Sequence, residues 1–101
     1  MRILMLGDVC GPSGVKAIKS DLKKIIKTKR IDFTVANGEN AADNGKGITK
    51  QNFNELIDAG INVITSGNHI WDQKEILDII DNEERLITAI FLPLFIYIPY
   101  P

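Results

Sequence analysis

Three times along the chain a short apolar run ends in small or polar residues and gives way to apolar residues at helical spacing. That alternation limits the fold more than any other feature. The first run is "RILML" at residues 2–6, stopped by Gly7; it suits a buried strand that enters a loop. From Val15 the period changes. Val15, Ile18, Leu22, Ile25 and Ile26 fall on one helical face and Lys16, Lys19, Lys23, Lys24 and Lys27 on the other, with Pro12 and Ser13 in the approach, so the spacing predicts an amphipathic helix packed on a sheet.

The run "IDFTVAN", residues 31–37, is rich in β-branched and aromatic residues and predicts a second buried strand, with "NGENAADNGKG" as its exit loop. Thr49 is a candidate N-cap for a helix through Phe53, Leu56 and Ile57, which Gly60 ends. The strand "INVIT", residues 61–65, then leads into "GNHIWD". Asp72 followed by Glu75 has capping-box spacing, and Ile76, Ile79 and Ile80 give the expected third helix its buried stripe.

The element order is therefore β-α-β-α-β-α, an α/β layered fold whose crossovers are long enough to make neighbouring strands parallel. In an open parallel sheet the carboxyl ends of the strands share one edge. Asp8, then Glu39 and Asn40, then Asn68 and His69 follow the three strands, so residues far apart in sequence are expected to converge there.

Composition excludes several classes. At 101 residues the chain makes one domain at most, and its 12 basic and 13 acidic residues leave a net charge of -1, so no global field draws it to nucleic acid or an anionic membrane. Seven basic residues between Lys16 and Arg30 stand against Asp21 alone; without interleaved surface aromatics they read as a solvated helix face, and no nucleic-acid site is assigned. One cysteine, Cys10, excludes an internal disulfide, and the short apolar run Ile3 to Leu6 does not make a secretory signal, so a cytoplasmic location is expected. Gly7, Gly11 and Gly14 do not keep dinucleotide-loop spacing, and "DNGKGIT" lacks the glycine and the hydroxyl residue of a phosphate-binding loop.

After Arg85 no charged residue occurs. The tail "LITAIFLPLFIYIPYP", residues 86–101, holds three of the four prolines and four of the seven aromatics. It is shorter than the roughly 20 apolar residues of a bilayer-spanning helix and is broken by Pro93, Pro99 and Pro101. The chain divides into residues 1–85, which carry the α/β pattern, and this tail. A reading frame shifted or broken near Leu86 would produce such a tail; a selected anchor or partner-binding segment is the competing account.

The loop residues suggest chemistry. Carboxylate and amide oxygens suit hard cations, with imidazole added for iron, manganese or zinc. A carboxylate such as Glu39 can bridge two ions, and such a pair clamps a phosphoryl group while activating water. Cys10 is expected to be a small buried residue beside this loop, and Trp71 to pack behind it.

"GDVCG" at residues 7–11, "NGENAA" at 37–42 and "GNHIWD" at 67–72 resemble the YmdB-like branch of the calcineurin-like metallophosphoesterases. The resemblance runs in register from Met1 to about Arg85. Where most of the superfamily has Asp-x-His, this chain has Asp8-Val9-Cys10, as that branch does not carry the histidine; Glu39 likewise stands where more distant relatives use aspartate. The resemblance implies the N-terminal part of a four-layer α/β/β/α fold and a phosphodiesterase with two metal ions, iron or manganese, acting on 2',3'-cyclic nucleotides or other small phosphoesters. It further implies Asp8, Glu39 (the bridge), Asn40 and Asn68 as metal ligands and His69 as proton donor. Family members carry further histidine ligands in a second half. This chain has one histidine, so a partial site with weak or no activity is expected, and a non-enzymatic membrane-associated or partner-binding fragment is the alternative.

Overall fold

The computed structural model describes residues 1–76, 80 and 82–88, without the side chains of Asn68, Trp71 and Thr88. Strand β1 spans Ile3–Asp8, helix α1 Gly11–Lys29, β2 Phe33–Asn37, α2 Lys50–Asp58, β3 Val63–Ser66 and β4 Leu86–Thr88. All three strand pairings are parallel and the strand order is β1-β2-β3-β4. Each crossover steps to the next strand in the same direction, which places both helices on one face of the sheet.

Strand alternation decides which residues that face buries. Leu4, Leu6, Thr34, Ala36, Ile64 and Leu86 turn toward the helices, where Ile64 and Ala36 are fully buried. Val15 and Leu22 of α1 and Phe53 and Leu56 of α2 complete the core with Ile48, Ile61, Ile70 and Ile76. Each large side chain removed from water there contributes about 1.5–3 kcal/mol. The opposite face carries Ile3, Met5 and Ile87, which remain 56%, 77% and 51% exposed.

Helix ends follow from local chemistry. Pro12 lies in the first turn of α1, where its missing N–H costs nothing. That helix ends on Arg30 in the left-handed region (φ 54°), and the Ile31 amide closes it by bonding the Ile26 carbonyl at 2.9 Å. Thr49 caps α2 as the sequence predicts: its hydroxyl accepts from the Asn52 amide at 3.0 Å, and the Asn52 side chain accepts from the Thr49 amide at 3.3 Å. Ala59 is the C-cap, and Gly60 follows at φ +120°, a conformation open to glycine.

Two features differ from the sequence expectation. The segment expected to open a third helix at Asp72 forms two short 3-10 turns, Asn68–Asp72 and Lys74–Ile76. Asp72 does not cap, because its carboxylate bonds His69, and the Glu75 carboxylate accepts instead from the Lys50 amide in the first turn of α2 at 3.3 Å. Ile76 is buried and Ile80 packs against the core, while Ile79 lies outside the described residues. The second difference is β4, which begins at Leu86, where charge patterning alone suggests only a tail. Leu86 pairs with Ile64 and is 5% exposed, so the sheet continues past residue 85; residues 89–101 lie outside the described set. Among the described residues no helix is long and apolar enough to cross a membrane.

Candidate metal centre

Parallel pairing brings the ends of β1, β2 and β3 side by side, and a bulge decides how the first contributes. The register runs Leu6 to Ala36 and then Asp8 to Asn37, so Gly7 is an extra residue on β1. A one-residue insertion reverses the side to which the following side chains point. Asp8 therefore leaves the core side of Leu4 and Leu6 and sits beside Asn37 at the rim, while Val9 turns inward and is 4% exposed. A glycine inside a strand pattern is the sequence signal for such a bulge, whereas the sequence reading takes Gly7 only as a stop.

The second loop is tied directly to Asp8. The Asn40 Nδ2 donates to both Asp8 oxygens, at 3.1 and 2.9 Å, and the Gly11 amide bonds the Asn40 carbonyl at 2.9 Å. The Cys10 thiol donates to Asp8 Oδ2 at 3.1 Å. Cys10 is exposed, contrary to the expected buried position, because the chain turns outward after Val9 to begin α1. Its hydrogen bond to Asp8, with the carboxylate charge adding, pushes the thiol pKa up, which disfavours a nucleophilic thiolate.

Glycine lets the third strand approach. The Gly38 amide donates to the Thr65 carbonyl at 2.7 Å, and a Cβ on Gly38 would stand 2.7 Å from the Ile64 methyl. A Cβ on Gly67 would stand 2.7 Å from the carboxyl carbon and both oxygens of Glu39, so that carboxylate lies against the Gly67 backbone, one residue before Asn68. The Glu39 amide is itself held by Asn37 Oδ1 at 2.9 Å. His69 does not turn to the two carboxylates: its Nδ1 is 2.9 Å from Asp72 Oδ2.

The structure thus joins Asp8 to Asn40 and sets Glu39 against the start of the third loop, while His69 pairs with Asp72. The side chains of Asn68 and Trp71 lie outside the described positions, so the ligand role of Asn68 and the packing of Trp71 stay expectations. Among the described residues no three His, Cys, Asp or Glu side chains form a group that could hold an ion. The donor chemistry nevertheless fits a hard cation. Neither Asp8 nor Glu39 has a basic partner among the described residues, and Asp8 accepts only from an amide and a thiol. A cation held there would take the place of those donors, with Asn40 offering its amide oxygen in place of its NH2 group. Sequence reasoning treated Asp72 as a cap and so missed its contact with His69; the i,i+3 spacing of the two was the available signal.

Fold and rim together define the class: an α/β protein with one parallel sheet and an oxygen-rich site along its carboxyl edge. The chain belongs to the YmdB-like protein family, whose profile matches residues 4–94 and so continues past Arg85, where the motif resemblance ends. It is 44% identical over 93 residues to the 2',3'-cyclic-nucleotide 2'-phosphodiesterase of Bacillus subtilis (strain 168), covering 92% of this chain and 35% of that protein. Among solved structures it matches a hypothetical protein from Thermus thermophilus with a TM-score of 0.79 at 37% identity, over 88% of this chain and 34% of the other. A novel phosphatase from Mycoplasma pneumoniae gives the same TM-score, 0.79, at 36% identity, over 86% and 31%. The chain spans about a third of the length of these relatives.

Proposed function

We propose that this chain supplies the strand-edge part of a metal-dependent phosphodiesterase site. The observation that carries the reading is the pair of rim carboxylates, Asp8 held by Asn40 and Glu39 laid against Gly67, with no basic side chain among the described residues to neutralise either. Asp8 and Asn40 would hold one ion, Glu39 would bridge to a second, and Asn68 would add an amide oxygen. Manganese or iron suits that set. Bound there, the ions would neutralise the phosphoryl oxygens and make water a stronger nucleophile.

The chain's own residues then bind and protonate. In hydrolysis of a phosphodiester the water oxygen forms a bond to phosphorus, losing a proton to solvent, as the bond to the leaving oxygen breaks. His69 Nε2, opposite the nitrogen bonded to Asp72, delivers its proton to that leaving oxygen and ends neutral. The name of the Bacillus relative suggests a 2',3'-cyclic nucleotide as substrate, with the cytoplasm as the setting.

Ions of this kind take about six ligands each, more than these four groups provide, so the chain by itself is expected to turn over slowly or not at all. The experiment measures manganese binding and 2',3'-cyclic AMP hydrolysis on wild type, Asp8→Ala and His69→Ala. We expect Asp8-dependent binding with hydrolysis near the buffer rate. Binding indifferent to Asp8 would overturn the metal reading, and turnover abolished by either variant would overturn the partial-site reading. Exposure of Ile3, Met5 and Ile87 favours a second reading, in which the chain also binds a partner through its sheet face.

A further inference from the structure

We propose that Asp72 is a positioning residue for His69, holding the imidazole through Nδ1 so that Nε2 is the nitrogen presented to substrate. This inference rests on the reading of His69 as the proton donor. The Nδ1 to Asp72 Oδ2 distance is 2.9 Å, and the two side chains, 43% and 41% exposed, form an i,i+3 pair on one 3-10 turn. An exposed pair on a free turn would not fix a ring, because solvent competes for both partners. This turn is not free.

The loop 44–47 straps it. The Gln73 amide donates to the Lys46 carbonyl at 3.1 Å and to Asn44 Oδ1 at 3.4 Å, directly after Asp72. Gly47, at φ +78°, lets the strap close: a Cβ there would stand 2.5 Å from the His69 carbonyl oxygen, 3.0 Å from the Gln73 side chain and 3.6 Å from the Asp72 Cβ. Within the turn the Ile70 amide bonds the Gly67 carbonyl at 3.1 Å, and Ile70 is fully buried. The backbones of both partners are therefore held from the core below and the loop beside.

A carboxylate accepts and does not donate, so the bond to Asp72 keeps a proton on Nδ1 of the neutral ring. Nε2 is then left as the nitrogen that gains and gives the proton used on the leaving oxygen. An acid that presented Nδ1 would have to break the bond to Asp72 first.

The chain has a single histidine, so its ring nitrogens can be read without ambiguity. Long-range 1H–15N spectra of the uniformly labelled, metal-free chain, taken at a pH where the imidazole is neutral, report which nitrogen carries the proton. We expect the proton on Nδ1 in wild type and loss of that preference in Asp72→Ala, with the backbone amide peaks of β1 to β3 unchanged. A wild-type ring with its proton on Nε2, or an Asp72→Ala ring with its Nδ1 proton undiminished, would overturn the proposal. The wild-type spectrum decides the matter even if the variant does not fold. Since no metal or substrate is present, a failed hydrolysis or metal-binding test leaves this result standing, and the reverse also holds.

Discussion

At the residue scale, the rim is built by glycines and by one inserted residue as much as by its polar groups. Gly67 lies at negative φ, -141°, so no left-handed backbone calls for glycine there; its requirement comes from the Glu39 carboxylate lying 2.7 Å from where a Cβ would be. Replacing Gly67 by alanine should push that carboxylate away. Because Glu39 is only half-buried and can swing toward solvent, the melting temperature should hardly move, while manganese affinity should fall about tenfold, as for other groups that position a ligand. Titration calorimetry on Gly67→Ala checks this, and unchanged affinity would show that Glu39 is not a ligand. The residue types at the rim were legible in the sequence because Asp8, Glu39 and Asn40 each follow an apolar run. The environment of Cys10 was not, because exposure depends on the direction in which the chain leaves Val9. Nor was the partner of His69, since an aspartate three residues after it reads equally well as a helix cap.

At the element scale, local signals are reliable where one side chain satisfies its own backbone. The Thr49–Asn52 capping box is such a case, and Thr49→Ala should cost about 1 kcal/mol, lowering the melting temperature by roughly 4–8 °C in a domain of this size. Thermal denaturation followed by circular dichroism measures it, and a shift below about one degree would mean that the cap does not hold α2. A second element-scale prediction concerns Arg30, which ends α1 at φ 54°. A left-handed conformation costs a side-chain-bearing residue roughly 1–2 kcal/mol, partly offset by the greater freedom of glycine in the unfolded chain. Arg30→Gly should therefore stabilise by about 0.5–1 kcal/mol, and a loss of stability in the same melting experiment would contradict that account. The start of the third expected helix, at Asp72, and β4 were misread from sequence for one shared reason: tertiary contacts overrode local pattern, while Ile80 of that expected helix is helical. Asp72 found His69 in place of a cap, and Leu86 found a parallel partner in Ile64 although the charge pattern stops just before it.

At the scale of the whole molecule, the sheet is finished on one face only among the described residues. Both helices and the core lie on one side, and Ile3, Met5 and Ile87 stand in solvent on the other. Exposed apolar side chains gathered on one sheet face are where docking or self-association is to be tested. Met5, 77% exposed on β1, can take a charge without disturbing the core, so Met5→Lys should reduce self-association without lowering the melting temperature. Light scattering over a concentration series tests it, and equal association in the variant would place the contact elsewhere. The α/β class and parallel order were legible in the sequence because the change of hydrophobic period marks each crossover. The open face was not, since an alternating strand looks the same whether its second side meets water or another layer.

The central claim is that three separate strand ends deliver oxygen donors to one rim where a cation sits. Its most direct test is to add manganese to the 15N-labelled chain and map which amide resonances the paramagnetic ion broadens. The account predicts broadening at substoichiometric metal confined to Asp8–Gly11, Gly38–Asn40 and Gly67–His69, and abolished in Asp8→Ala. Broadening centred on other carboxylates, or at one of the three loops without the other two, would contradict it.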